Sequence, residues 1–313
     1  MTIHAIALPA VRDTFGQLPR RTIPVPLEAT LFAPGAHVYA IIDAARVPGF
    51  DAEIIAEGQD TACLFIGQAE QELGSSAPHL FRLDATSRLT RRLFDPKGLW
   101  GARSHVLLRS VHDLAAVRAH LRRFTQIADD RGKRFFLRFY CPDALPVILG
   151  ALADDPARLH RWFFHNGQHV VDSFWVPDPD GHQMIIHGPC RKTADSPPPF
   201  MLDQAYRSIM HEIARRRLHR RVSRAVLLTE ENAACLPARE WRAIVADSID
   251  AAWRAGVGPE RAFAHIAMAG LARGRAMQPD EIARAIRLPA SPGQQTERAR
   301  NLAAIQIRCN EDK

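Results

Sequence analysis

Cys141 lies in the stretch LRFYCPDALPVIL, residues 137–149, between an aromatic pair and a proline. A thiol at a strand-to-helix corner can be a nucleophile, because backbone N–H groups at a helix start favour the thiolate. Catalysis also needs a base held beside the sulfur, and spacing marks no histidine as that base. A cysteine-dependent hydrolase centred on Cys141 is therefore kept as an alternative, and a structural cysteine is the favoured reading. His160, His165 and His169, with Asp172 just beyond, have the residue types of a metal or acid–base cluster. The FFHNGQ stretch puts a helix breaker between His165 and His169, which favours turn histidines flanking a strand. His211-Glu212 begins like HExxH, but Arg215 stands where the second zinc-ligating histidine must be. DPDGH, residues 178–182, lacks the closing ligands of a calcium loop and reads as a hairpin turn. No phosphate-binding glycine loop and no GxSxG elbow occurs. The chain is expected to have no catalytic residue, no metal and no cofactor.

The other chemical feature is charge. The net charge is +7. Residues 205–224 hold seven Arg and one acid, Glu212, so this stretch supplies +6 of it. RRRLHRR, residues 215–221, could contact phosphates as a nucleic-acid-binding module. It has no interleaved aromatics and matches no nucleic-acid motif, so a solvated helix face or a protein-docking patch is preferred.

These residues must be positioned by elements that the pattern reveals. VYAIIDAA (38–45), TACLFIG (61–67), PHLFRL (78–83) and SHVLLRS (104–110) read as strands. Ser110 with Asp113 resembles a capping box, and Leu114, Val117, Leu121, Phe124 and Ile127 line one helix face that Gly132 ends. KRFFLRFY (133–140) follows as a strand, which predicts a parallel βαβ unit. DALPVILGAL reads as a short helix opened by Pro142, RWFFHN (161–166) as a strand, and residues 169–187 as a hairpin. After a Pro-rich linker the signals turn helical, with faces at Leu202, Tyr206, Ile209 and Ile213, then at Trp241, Val245 and Ile249. Residues 259–271 and 279–286 read as two further helices. The predicted fold is α/β: a mixed β-sheet lobe with a central βαβ unit, followed by an α-helical C-terminal lobe. The predicted divisions are an irregular segment 1–34, an α/β domain 35–190, a linker 191–200 and a helical lobe 201–313.

Five cysteines occur and none forms a CxxC pair, which argues against a disulfide framework and a thiolate zinc site. No apolar run approaches the roughly 18 residues of a membrane span. The start, MTIHAIALPAVRD, has no basic n-region, so the cytosol is the expected location.

The α/β half resembles the Tap/Tec effector chaperones, bacterial type VI secretion adaptors whose domain was formerly one of unknown function. The resemblance rests on ordered motifs. These are VYAIIDAAR (38–46), LFIG followed by SSAPHLFRL (64–83), Trp100-Gly101, HVLLRS with the helix after it, and RFFLRFYCPDALPVIL. The tail AWRAGVGPERAFAHIAMAGLARGRAMQPDEIARAI is similar to the family's helical ending. The resemblance implies a non-enzymatic adaptor that binds a toxic effector in the producing cell and helps load it onto the VgrG spike. The expected partners are thus the cognate effector and VgrG, with neither membrane nor nucleic acid. The family's central strand usually ends Arg-Phe-Tyr-Asp-Pro, and Cys141 replaces that Asp, so a weaker helix cap is expected by roughly 1 kcal/mol. The partner-binding candidates are Arg138 and Tyr140 at that strand end, and Arg216, Arg217, Arg220 and Arg221 on the basic face. Arg138 has a competing structural reading, an ion pair with Asp43.

Overall fold

The computed structural model describes residues 2–6, 23, 25–47, 60–94, 104–177, 183–188, 198–229 and 238–311. The hairpin turn 178–182, Trp100-Gly101 and most of the linker 191–200 lie outside them. The chain divides into two compact units, residues 1–210 and 211–313. The first is the expected α/β lobe and the second is helical.

The first unit is built on a seven-stranded sheet in the order β1-β11-β10-β5-β2-β4-β3. Its strands are β1 (Thr2–Ile6), β2 (His37–Asp43), β3 (Thr61–Cys63), β4 (Pro78–Leu83), β5 (His105–Ser110), β10 (Ser173–Pro177) and β11 (Gln183–His187). All six pairings between neighbours in this sheet are antiparallel. β2 sits between β5 and β4 and is covered on both faces, which is why VYAIID is almost wholly apolar. Val38, Ala40 and Ile42 point to one face, packing with Leu27 and Leu31 of α1 (Val25–Leu31) and Leu89 and Leu93 of α3 (Arg88–Phe94). Tyr39, Ile41 and Asp43 alternate to the other face. The short α2 (Gln68–Leu73) lies between β3 and β4.

The first 34 residues are not irregular throughout. β1 pairs with β11, and α1 roofs part of the core. The β1–β11 contact spans most of the lobe, so no local pattern announces it.

The strand–helix–strand order after residue 104 is present, but its parallel pairing is not. Helix α4 (Leu114–Leu121) is capped by Asp113, whose carboxylate accepts from the Ala116 N–H at 2.9 Å. Ser110 instead accepts from His112 N–H and donates to the Val170 carbonyl. The helix tightens to a 3₁₀ turn at Arg122–Phe124, and β6 (Gln126–Ala128) then pairs with β7 (Arg134–Phe136) in a separate antiparallel hairpin. The Asp129 carboxylate accepts from the Arg131 and Lys133 N–H groups, and Gly132 takes φ +77°, so these residues turn a hairpin. The apolar spacing Leu121, Phe124, Ile127 suits either outcome, and the Asp–Gly turn decides it.

Helices α5 (Leu145–Ala151) and α6 (Pro156–Phe163) follow. Residues 161–163 are the end of α6 rather than a strand. Asp155 caps that helix, accepting from Arg158 N–H at 3.0 Å, with Pro156 at its first position. β8 (Phe164–His165) and β9 (Gln168–His169) form a small hairpin around Asn166 and Gly167, both at positive φ.

Helix α7 (Gln204–Thr229) runs past residue 210 into the second unit. There, α8 (Ala238–Arg254), α9 (Glu260–Ala272), α10 (Pro279–Ile286) and α11 (Pro292–Glu311) complete the chain. Their core joins Leu218, Val222, Trp241, Val245, Ile249, Phe263 and Ile266. Helix α11 is an additional helix beyond those the periodicity predicts, and Ser291 and Gln294 hold the reciprocal bonds of a capping box at its start.

Candidate functional site

The corner around Cys141 is a locked junction. β7 ends at Phe136, a turn spans 139–144, and α5 starts only at Leu145. Pro142 therefore belongs to the turn, and the proline in the first helical turn is Pro146. The Cys141 carbonyl accepts from the Ala144 and Leu145 N–H groups. Position 141 thus opens the turn, where Asp is favoured as the first residue for the same reason it is favoured as a cap. The expected cap weakness moves from the helix to this turn.

Asp43, at the end of β2, is 1% exposed, and the Arg138 guanidinium donates to its Oδ2 at 2.5 Å. Arg138 itself is 41% exposed and lies 6.0 Å from the centre of the Tyr140 ring. The ion pair anticipated as the competing reading of Arg138 is therefore present. Tyr140 is buried, and burial pushes its hydroxyl well above the ordinary tyrosine range. It offers a partner no accessible face. Cys141 is 4% exposed, with the Arg46 guanidinium 3.8 Å from its sulfur.

That burial makes a chemical prediction. Cys141 in the folded chain is expected to resist iodoacetamide at neutral pH and to label fully in urea. Partly buried Cys63 should label sooner, though slowly, because burial pushes its thiol up. Peptide mapping by mass spectrometry reads both sites. Fast native labelling of Cys141 would revive the nucleophile.

The histidines 160, 165 and 169 are spread over α6, β8 and β9, with His160 and His169 stacked on Phe164. Among the described residues no group of His, Cys, Asp or Glu has the geometry to hold a metal ion.

The basic face of α7 is partly neutralised. Arg215 pairs with Glu212 and, at 2.7 Å, with Asp250, which His219 also contacts. Arg216 pairs with Glu212 at 2.6 Å and Arg221 with Glu260 at 2.9 Å. Arg217 is half-buried, and Arg220 is exposed beside a shallow hollow of about 430 Å³.

The feature that the sequence did not disclose is a groove of about 870 Å³ in the first unit. One wall is the β6–β7 hairpin. Gln126, Ala128, Arg134, Phe135 and Phe136 of this hairpin line the groove, whereas Ile127, paired with Phe135, is buried behind it. The other wall is Phe65–Gly67 and the start of α2, and Arg122 and Arg123 lie at its side. Phe65 and Phe136 meet across it with ring centres 5.0 Å apart. Ile66 is 53% exposed and Phe136 is 44% exposed. Phe200 also lines it, held on its far side by Phe124 and Tyr206.

Residues 38–158 match the family model of DUF4123, a domain of unknown function. The Asp43–Arg138 corner falls inside the matched span, as do both walls of the groove apart from Phe200. No curated protein and no solved structure matches the chain.

Proposed function

We propose that the chain is a cytosolic adaptor that binds a toxic type VI effector and helps load it onto the VgrG spike. The reading draws on the ordered motifs of residues 38–158, which coincide with the DUF4123 match. The observation that carries it is the solvent-open groove within that domain, whose aromatic, aliphatic and arginine side chains are the types that dominate protein interfaces. A loading chaperone must also release its client, and a small anchor-dominated interface suits that better than a large permanent one.

The decisive experiment is deletion of the gene in the producing bacterium, followed by secretion assays for each of its type VI effectors. One effector should be lost from the secreted fraction, should co-purify with this chain, and should return on complementation. Unchanged secretion and stability of every effector would sink the proposal.

A further inference from the structure

The groove has a charge signature as well as an apolar floor. Three arginines line it, Arg122, Arg123 and Arg134, and no Asp or Glu does. Neither Arg122 nor Arg134 pairs with a carboxylate among the described residues. This sets them apart from Arg215, Arg216 and Arg221 of α7, where intramolecular acids take up the charge. Arg123, exposed on the groove's side, lies over the Phe124 ring at 5.6 Å, and partial desolvation with the nearby Arg161 disfavours its charge. An incoming anion would offset both effects.

Ile66 and Phe136 add the second half of the signature. Two large apolar side chains stand about half exposed on facing walls of the groove that three arginines also line. A lone sulfate would leave the aliphatic and aromatic surface wet, and a nucleotide, whose base can stack on Phe136, would leave the aliphatic Ile66 unmatched. A purely apolar helix would leave the guanidiniums with nothing to pair. Both demands are met by a peptide segment with one or two large apolar side chains flanked by carboxylates, for which arginine supplies bidentate hydrogen bonds.

From charge complementarity and the half-exposed apolar pair, we infer that this groove is the docking site for an acidic, apolar-anchored segment of the client protein. The inference rests on the adaptor reading and adds the chemistry of what is gripped. Ile66 and Phe136 take the apolar anchor. Arg122 and Arg134 take the flanking carboxylates, and Arg123 closes the basic side.

The test is a random-peptide phage library panned against the full-length protein, with Phe136→Ser and the double variant Arg122→Glu/Arg134→Glu as counter-targets. Circular dichroism and unchanged urea midpoints establish that these surface variants fold. Wild type should enrich peptides carrying at least two Asp or Glu beside Leu, Ile, Phe or Trp. Synthetic copies should bind either variant at least about tenfold more weakly, and wild type more weakly as salt rises. Enrichment of neutral or basic peptides, equal binding to the variants, or no enrichment at all would overturn the inference. Co-sedimentation of wild type, but not the variants, with anionic vesicles in place of peptide selection would overturn it too, by assigning the groove to a lipid surface. The two levels separate cleanly. If the peptides behave as expected but gene deletion leaves all effectors secreted, the groove stands and the adaptor reading falls. If deletion blocks secretion while the groove variants complement fully, the groove inference falls alone.

Discussion

Arg138→Met is expected to destabilise the first unit by about 3 kcal/mol. Asp43 is a buried carboxylate whose Oδ1 has no hydrogen-bond partner among the described residues, and Arg138 is the side chain that meets its Oδ2. Removing one member of a buried pair strands the other charge, which typically costs roughly 3–5 kcal/mol. Arg138 is 41% exposed, so solvent screens part of the interaction and the lower end of that range applies. Met keeps most of the stem's packing, which isolates the charge effect. The double variant Asp43→Leu/Arg138→Met should recover most of the loss, because two apolar groups strand nothing. Urea unfolding of the full chain, followed by tryptophan fluorescence, reads all three proteins. A loss under about 0.5 kcal/mol for Arg138→Met would show that Asp43 does not depend on this arginine. Arg138 would then be available for a partner, as first expected.

The Arg138 case shows what local sequence reveals and what it hides. Asp43 ends an apolar run, and a carboxylate at the end of a buried strand implies a cation nearby, so the pair was legible. β4 and α10 were also legible at their bounds, because Pro78, Leu83, Pro279 and Ile286 sit at clear changes of period. The groove was not legible. Arg134, Phe135 and Phe136 read as part of one long strand with both faces alike. Their true alternation comes from pairing with β6, whose own residues carried a helical spacing. The Asp129–Gly132 turn was the available signal, and it was outweighed by the length of the apparent helix. The parallel βαβ unit failed for the same reason, since β7 joins β6 rather than the main sheet. Topology settles which side chains face water, and it is a non-local property.

The basic helix teaches a related lesson about charge. Residues 205–224 dominate the net charge in sequence, yet Glu212, Asp250 and Glu260 meet Arg215, Arg216 and Arg221 in the fold. Asp250 and Glu260 arrive from α8 and α9, so a count along α7 overstates the free charge. The groove shows the opposite. Arg122 and Arg134 are unremarkable in sequence, and the fold brings them to a groove with no acid among its described lining residues. Long-range phosphate attraction depends on unneutralised charge, which weakens the nucleic-acid reading of α7.

Stability should fall between pH 7 and pH 5 because of His120. The ring is fully buried on α4, with Nε2 2.8 Å from the Trp162 carbonyl and the Phe124 ring edge-on at 5.3 Å. A carbonyl only accepts, so Nε2 carries the proton. Nδ1 is buried with no hydrogen-bond partner among the described residues, so a second proton there would find none of them to bond. Burial, with Arg123, His165 and His112 as neighbouring cations or potential cations, holds the ring down to about 3. The unfolded ring titrates near its ordinary 6.5. At pH 7 both states are mostly neutral and the penalty is small. Below about 6.5 the unfolded chain gains a proton that the folded chain refuses, so stability drops until the pH reaches about 3. At pH 5 the loss is about 2 kcal/mol, from roughly 1.4 kcal/mol for each pH unit below the unfolded value. His165 is also shifted down, by burial and Arg123, and adds in the same direction. His120→Gln removes the titration while leaving an amide able to donate to the Trp162 carbonyl, so its urea midpoint should change less between pH 7 and pH 5 than that of wild type. If the variant does not fold, an NMR titration of the wild-type ring answers the same question. An imidazole that protonates above pH 5 in the folded protein would show that the core around Phe124 and Trp162 is open to water.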